Sequence, residues 1–326
     1  MASLDQIGVV IPTLNCLGRL SDHWEASRHW LEKAGSLIVV DSYSTDGTWA
    51  FANEVFKPLG AKLIQRPKGL YASWNEGIVI NEKPWTYIST IGDLIDEDGL
   101  IRLLQSGDRH KADVVISPPR LVDEKHDRLP ESPSTLELII RERAPEGPFV
   151  LTPETFWAWV AWFAIAGGMN TPLGSAASNL YRTEVLKALP FPCCHGSAGD
   201  AFWGIRFAHE LKVVVDPNHR ATFMVHTREH EWLSRNQLDQ WYEQAWGILT
   251  KTIEERFKEH ARALPARLDM IWSELQLRYQ LQQRIHHYQV RFRHAAWHPG
   301  YWLLKCQKRT LTRRQKSTFK RLARMD

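Results

Sequence analysis

The chain has 326 residues, 44% of them apolar and 24% charged, which suits one large or two modest globular domains and excludes a disordered chain. Its formal charge of +4 is unevenly placed: from Gly300 onward nine Lys or Arg stand against Asp326, a tail of about +8 on a remainder of about −4. The start, MASLDQIGVVIP, lacks a signal peptide's basic and long apolar parts, no segment reaches the roughly 20 apolar residues of a membrane span, and four cysteines make no disulfide framework. A cytoplasmic location is therefore expected.

In chain order, Gln6 to Ile11 is an apolar run of β type, closed by the turn formers Pro12, Thr13 and Asn15. Leu17 to Ala34 has helical spacing, with Leu17, Leu20, Trp24 and Leu31 on one side. Ser36 to Val40 is a second strand that ends at Asp41, and Ser44 to Thr48 opens a further helix with its own capping residues. Ala61 to Gln65 gives a third strand, Gly69 to Ile80 a helix that begins in a glycine turn, and Trp85 to Ser89 a buried strand running into a turn with Asp93. Asp96 and Asp98 suit the cap of a helix starting near Gly99. Strands that alternate with helices in this way predict a parallel sheet with right-handed crossovers.

Ala112 to Ile116 is a further strand, and Ser117 to Gly147, rich in Pro, Glu and Arg without a period, reads as an excursion from the sheet. Thr155 to Ala166 is an apolar, Trp-rich segment too short to cross a bilayer; Trp157, Trp159 and Trp162 suit core, an acceptor pocket or a bilayer surface. Strands at Ala177 to Tyr181, Lys212 to Asp216 and Ala221 to Val225 alternate with helices at Thr183 to Leu189 and Gly199 to Glu210, and beyond Leu238 the pattern is helical and charged. Cys193, Cys194 and His195 have no second pair at zinc spacing, and an ordinary loop is expected there.

If the first, second and fourth strands are neighbours, Pro12, Thr13, Asp41 and Asp93 share one sheet edge, which is a ligand site by position alone. One carboxylate there can accept hydrogen bonds from a base or ribose and another can bind a divalent metal, while the plainer alternative makes Asp41 and Asp46 helix caps. No glycine-rich dinucleotide fingerprint follows the first strand and no GxxxxGK[ST] occurs, which argues against a Rossmann dehydrogenase and a P-loop NTPase.

The ordered motifs VVIPTLN, VVDSYSTDGT, GLYASWNEGI and YISTIGD resemble the N-terminal half of the inverting family 2 glycosyltransferases of the GT-A fold. In that family the second motif usually reads VVDDGSTDGT or VVDSGSTDGT, the third resembles GIYDAMNKGI, and the fourth ends in an acidic DxD or DD. The likeness covers about Ile7 to Leu104, with a weaker echo to about His226. It implies an α/β fold, a mixed and mainly parallel sheet flanked by helices, over residues 1–235. Residues 1–116 would be the nucleotide-binding half and 117–235 the acceptor half, followed by a helical extension over 236–326.

Residue by residue, the resemblance implies that Pro12, Thr13 and Asp41 hold the nucleotide's base and ribose, that Arg66 meets the base or a phosphate, and that Tyr71 and Asn75 line the donor site. Asp93 falls on the last acid of the DxD, the one expected to bind Mn²⁺ or Mg²⁺, with Thr90 and Gly92 at the earlier acidic positions. His226, which follows a strand, would complete the metal site or touch the diphosphate. GSAASNLYRTEVLKALPF and SAGDAFWGIRFAHE resemble the acceptor side and put Asp200 in the place of the catalytic base. The expected activity is transfer of a sugar from a nucleotide-sugar, preferentially UDP-linked, to a glycan or lipid-linked acceptor with inversion, in cell-surface polysaccharide or lipopolysaccharide synthesis. The alternative is a non-catalytic nucleotide-sugar or glycan-binding module with a reduced metal site.

The sequence has no QxxRW, the processive-synthase signature, so one sugar per encounter is expected. Tyr301, Trp302, Leu303, Leu304, Leu311, Phe319 and Leu322 among the tail's cations suit an anionic membrane surface, reached from the cytoplasmic side. No recognition motif supports a nucleic-acid partner.

Overall fold

The computed structural model describes residues 2–129, 135–153, 155–156, 159, 173, 175–196, 199–225, 270, 273–274, 277, 280–281, 284–285 and 299–323. It divides into two compact units, Met1–Leu151 with Leu173–Leu233, and Thr152–Pro172 with Ser234–Asp326.

The first unit is built on β1 (Ile7–Thr13), whose residues are buried almost throughout, as expected of a strand covered on both faces. It pairs in parallel with β2 (Ser36–Asp41) on one side and β4 (Trp85–Ile88) on the other. The strand continues through Pro12 and Thr13, two residues further than the turn formers predict, with Pro12 opposite Val40 and Thr13 opposite Asp41. Pairing with β4 has ended at Val10, so Pro12 lies where β1 has a single strand neighbour and its missing N–H disrupts no second ladder.

Among the described residues this sheet has eight strands in the order β3 (Lys62–Gln65), β2, β1, β4, β9 (Asn179–Arg182), β6 (Val114–Ile116), β10 (Val213–Val215) and β8 (Phe149–Leu151). Only β9 and β8 run against their neighbours. A second, three-stranded sheet takes β5 (Leu94–Ile95), β11 (Ala221–Met224) and β7 (Arg120–Val122). The excursion after β6 therefore has structure of its own, namely β7 and the helix α5 (Thr135–Arg143). Its short elements pair at long range and carry no local period.

Helix α1 (Leu17–Leu31) buries Leu20, His23, Ser27, Trp30 and Leu31, while Leu17 and Trp24 are half-buried. Two polar residues thus lie on the core face. Burial pushes the His23 imidazole down to about 4, and its Nε2 lies 2.9 Å from Ser89 Oγ. The ring is neutral when folded but takes a proton near its ordinary value of 6.5 when unfolded, so this contribution to stability is present above 6.5 and lost as pH falls toward 4. Relative to His23→Leu, the wild type should lose about 3 kcal/mol between pH 7 and pH 4. Urea midpoints of both proteins across that range measure the difference; a constant difference would contradict a neutral, buried His23.

Helix α2 (Thr48–Phe56) and α3 (Leu70–Ile80) flank β1 and β2, and α4 (Glu97–His110) packs beside β6 and β9. Asp96 caps α4 by accepting from Gly99 N at 2.6 Å, whereas Asp98 pairs with Arg102 on the exposed face at 3.2 Å. A Cβ at Gly77 would lie 2.4 Å from Val10 Cγ1, so the absent side chain lets α3 sit close on β1. Asn81, fully buried just after α3, donates from Nδ2 to Trp85 O, Thr86 Oγ1 and Thr183 Oγ1. Its Oδ1 accepts from Ser36 Oγ and Lys83 N. One side chain thereby ties the end of α3 to β2, β4 and the start of α6 (Thr183–Ala188).

In the second unit, Phe156 and Trp159 are buried; Trp157 and Trp162 lie outside the described residues. Helix α7 (Gly199–Phe207) belongs to the first unit, and α8 (Pro299–Ala323) is the helical C-terminal piece. It buries Leu304 and Gln315 and half-buries Lys308 and Leu311, a spacing that defines one face. Gln315 Nε2 donates to Glu274 O at 2.6 Å, and Arg314 Nη2 reaches both oxygens of Glu274 at 2.7 and 2.8 Å. Trp302 and Leu303 are exposed. Among the described residues no helix is long and apolar enough to cross a membrane.

Candidate active site

The chain leaves β1 toward β2 and β3 and then returns to β4 on the other side of β1. The strand order reverses there, and such a switch point opens a crevice at the C-terminal edge of the sheet. A cavity of about 320 Å³ lies at that edge, lined by Pro12, Thr13, Leu14, Ser42, Lys68, Gly69, Leu70, Tyr71, Ala72, Ser73, Cys193 and Gly196. Three of the expected donor-site residues, Pro12, Thr13 and Tyr71, therefore share its wall.

Asp41 closes β2 beneath this wall and is fully buried. Its Oδ1 accepts from Thr13 Oγ1 at 3.0 Å and from Ser44 Oγ, and its Oδ2 from Ser44 N at 2.9 Å and Gln65 Nε2 at 3.0 Å. Four donors from three segments fix the carboxylate, which in turn fixes the loop carrying Ser42. Asp46 ties two helix starts together, taking Leu17 N with Oδ2 and Thr48 N with Oδ1.

Arg66 bridges the turn before α3. Its Nη1 donates to Pro67 O at 3.0 Å, Gly69 O at 3.3 Å and Ser73 Oγ at 3.5 Å, and it makes no ion pair among the described residues. Lys68 lines the cavity, is exposed and has no ion-pair partner among the described residues either. Two cations thus stand at or beside the cavity without a neutralising carboxylate among the described residues. Lys68 escapes sequence reasoning because a lysine in a turn reads as solvated surface.

Tyr71 and Asp200, 129 residues apart, meet here: the phenol donates to Asp200 Oδ1 at 2.9 Å. Asp200 is the second residue of α7 (Gly199–Phe207), and the same oxygen accepts from Ala201 N at 2.7 Å. Burial pushes the carboxyl above its ordinary value, with the bonds from Tyr71 and Ala201 opposing the shift. Burial also raises the Tyr71 phenol, next to the Asp200 charge, so Tyr71 stays a donor. The Tyr71 ring packs against Trp74 with centroids 4.8 Å apart and lies 5.9 Å from Phe191. A Cβ at Gly199 would come within 2.5 Å of Tyr71 Cδ2, so the glycine is what admits the ring.

Asn75 clamps the backbone of Phe191: its Nδ2 donates to Phe191 O at 2.8 Å and its Oδ1 accepts from Phe191 N at 3.0 Å. The amide thereby positions the segment that brings Cys193 to the cavity. Cys194 Sγ lies 3.4 Å from His195 Nε2, and both Cys193 and Cys194 are free thiols.

Asp93 stands after β4 and is 7% exposed. Its Oδ1 accepts from Met224 N at 2.8 Å, its Oδ2 from Thr90 Oγ1, and burial pushes its carboxyl up to about 6. Gly92 stands just before it in a backbone conformation that disfavours any side chain. Its φ of 104° is left-handed, and a Cβ there would lie 2.8 Å from Met224 Cε. His226, the other expected metal ligand, lies outside the described residues, among which no group of three His, Cys, Asp or Glu could hold an ion. Asp93 alone offers one hard oxygen ligand whose charge burial penalises. One carboxylate would suit a Mg²⁺ or Mn²⁺ held chiefly by a diphosphate, but both Asp93 oxygens already accept protein hydrogen bonds and Asp93 is not among the residues lining the cavity.

Residues 8–157 match the family model described as Glycosyl transferase family 2. Those residues carry the family 2 glycosyl transferase pattern. Its fold is that of Staphylococcus aureus TarS 1-349 in complex with UDP, at 17% identity and a TM-score of 0.57 over 84% of this chain and 71% of that one. TarS 1-349 in complex with UDP-GlcNAc aligns over 97% of this chain and 91% of its own at 15% identity and a TM-score of 0.53. The mannosyltransferase PcManGT from Pyrobaculum calidifontis, in complex with GDP-Man and Mn²⁺, aligns over 98% and 85% at 15% identity and a TM-score of 0.53. No curated protein matches the chain in sequence. The first unit thus has the mixed, mainly parallel sheet flanked by helices of the GT-A fold.

Proposed function

We propose that the domain transfers a sugar from a nucleotide-sugar, preferentially UDP-linked, to a hydroxyl of a glycan or lipid-linked acceptor with inversion, as a step in cell-surface polysaccharide or lipopolysaccharide synthesis. One observation carries this reading. Tyr71 lines the cavity and hydrogen-bonds Asp200, so the candidate donor site and the candidate base share a side chain. Solved relatives in fold hold UDP, UDP-GlcNAc or GDP-Man, which supports a nucleotide-sugar as the occupant.

In this reading Pro12, Thr13 and Asp41 form the base and ribose end, Arg66 and Lys68 face the phosphates, and Asn75 shapes the wall through Phe191. Asp200 accepts the acceptor hydroxyl's proton as that oxygen bonds to the anomeric carbon from the face opposite the diphosphate, whose bond to that carbon breaks. Asp93, with His226, would hold a divalent metal, which when bound neutralises charge on the leaving diphosphate. Calorimetry should show UDP binding that is strengthened by Mn²⁺ or Mg²⁺; absence of nucleoside diphosphate binding with either metal would remove the donor-site reading.

Tyr71→Phe tests the link between cavity and base. A base must be ionised, so turnover rises with pH through the Asp200 carboxyl's value. Loss of a bond that favours the ionised form raises that value further. The acid limb of the kcat/KM profile should move to higher pH in Tyr71→Phe; an unmoved limb would separate Tyr71 from the base.

The tail is read as a peripheral anchor to anionic membrane. The exposed side of α8 opens with Trp302 and Leu303 and continues through Arg309 and Arg313, a pairing of apolar and cationic groups that suits a headgroup layer. Co-sedimentation with phosphatidylglycerol vesicles but not with phosphatidylcholine vesicles is expected. Equal recovery with both would remove the electrostatic component.

A further inference from the structure

Tyr43 stands in the loop after β2 with a φ of 52° and 57% of its surface exposed. Left-handed backbone is costly for a bulky side chain, and glycine or asparagine is the residue that stability alone would select there. Its neighbours are firmly held. Ser42 N donates to Thr13 O at 2.9 Å, Ser44 N and Oγ donate to Asp41, and Ser44 Oγ accepts from Asn15 N at 2.9 Å. Thr45 N donates to Asn15 Oδ1 at 2.8 Å. The Tyr43 ring, by contrast, makes no hydrogen bond or ring contact among the described residues. A strained aromatic on a rigid loop, kept out of the core, has no structural explanation.

Position supplies one. Ser42, the preceding residue, lines the cavity, as do Pro12, Leu14 and Leu70, the last also exposed at 45%. We infer that Tyr43 is a nucleobase-stacking residue at the rim of the donor cavity, closing over the flat face of the donor's base. This inference rests on the donor-site reading above and adds a contact to it. A planar π-face is the ligand surface a fixed, solvent-facing ring fits best, and the rigidity of residues 41–45 means that little ordering is needed when the base arrives.

The test uses the full chain with UDP and, as a probe without a base, inorganic pyrophosphate, both titrated calorimetrically with Mn²⁺ present. Tyr43→Phe keeps the ring and should bind UDP within about twofold of wild type. Tyr43→Gly loses the ring and should bind UDP about 5- to 30-fold more weakly, with pyrophosphate affinity unchanged. Because glycine suits the backbone, the melting temperature of Tyr43→Gly should be unchanged or raised, which separates lost stacking from lost folding. Wild-type binding of UDP matched by Tyr43→Gly would overturn the stacking role while leaving the donor site intact. So would an equal loss of UDP and pyrophosphate. Failure of the wild type itself to bind UDP or any other nucleoside diphosphate would overturn the donor-site reading and the stacking with it.

Discussion

Asp200→Asn is expected to lower sugar transfer by about two to four orders of magnitude, the usual reach of a positioned general base. The substitution is close to isosteric, and the asparagine Oδ1 can still accept from Tyr71 OH and Ala201 N, so the arrangement at the start of α7 should survive. UDP affinity should stay within about twofold, because Asp200 does not line the cavity. The folded state raises the Asp200 carboxyl through burial, so ionisation above its ordinary value costs stability that a neutral amide does not. The variant should therefore melt at the same temperature as wild type or higher at pH 7. Product formation and thermal unfolding of the same preparation check both expectations. Wild-type transfer by the variant would remove Asp200 from the base role, and a lowered melting temperature would assign it to the scaffold.

The second large effect concerns the scaffold. Asn81→Ala should destabilise the first unit by about 3 kcal/mol. It leaves Thr86 Oγ1, Thr183 Oγ1 and Trp85 O in the interior without the amide that joined them. Alanine cannot be rescued by a neighbour moving in from Gly8, whose missing side chain is what leaves room for the amide: a Cβ there would lie 1.9 Å from Asn81 Oδ1. Asn81→Asp should be worse, because a carboxylate cannot donate to Trp85 O and would bring a buried charge. Urea unfolding of the three proteins orders them. An alanine variant as stable as wild type would show that the amide's bonds have no net value.

The first half of the sheet was legible because its signals are local. Apolar runs mark β1, β2 and β4, turn and cap residues follow each of them, and Asp41 closes β2 as its place in the sequence predicts. Asp96 was legible as a cap for the same reason. The pairings that complete the candidate site and its scaffold were not legible. Tyr71 meets Asp200 across 129 residues, Asn75 meets Phe191 across 116, and Asn81 meets Thr183 across 102. Side-chain meetings at such separations leave no period in the sequence. His23 and Ser27 were missed because hydrophobic spacing does not count polar residues as core. The left-handed backbone at Gly92 leaves no trace in the sequence beyond the glycine itself, so the reduced acidic cluster could be seen there without this backbone context.

A donor-turnover screen of the wild-type protein over UDP-, GDP- and dTDP-sugars, with Mn²⁺ or Mg²⁺ and a mixed panel of glycan and lipid-linked acceptors, tests the catalytic reading most directly. The predicted result is release of nucleoside diphosphate from at least one donor, UDP-sugars first, coupled to a product whose anomeric configuration is inverted. Nucleotide binding with no turnover of any donor would contradict it and would favour a module that binds nucleotide-sugars without transferring them.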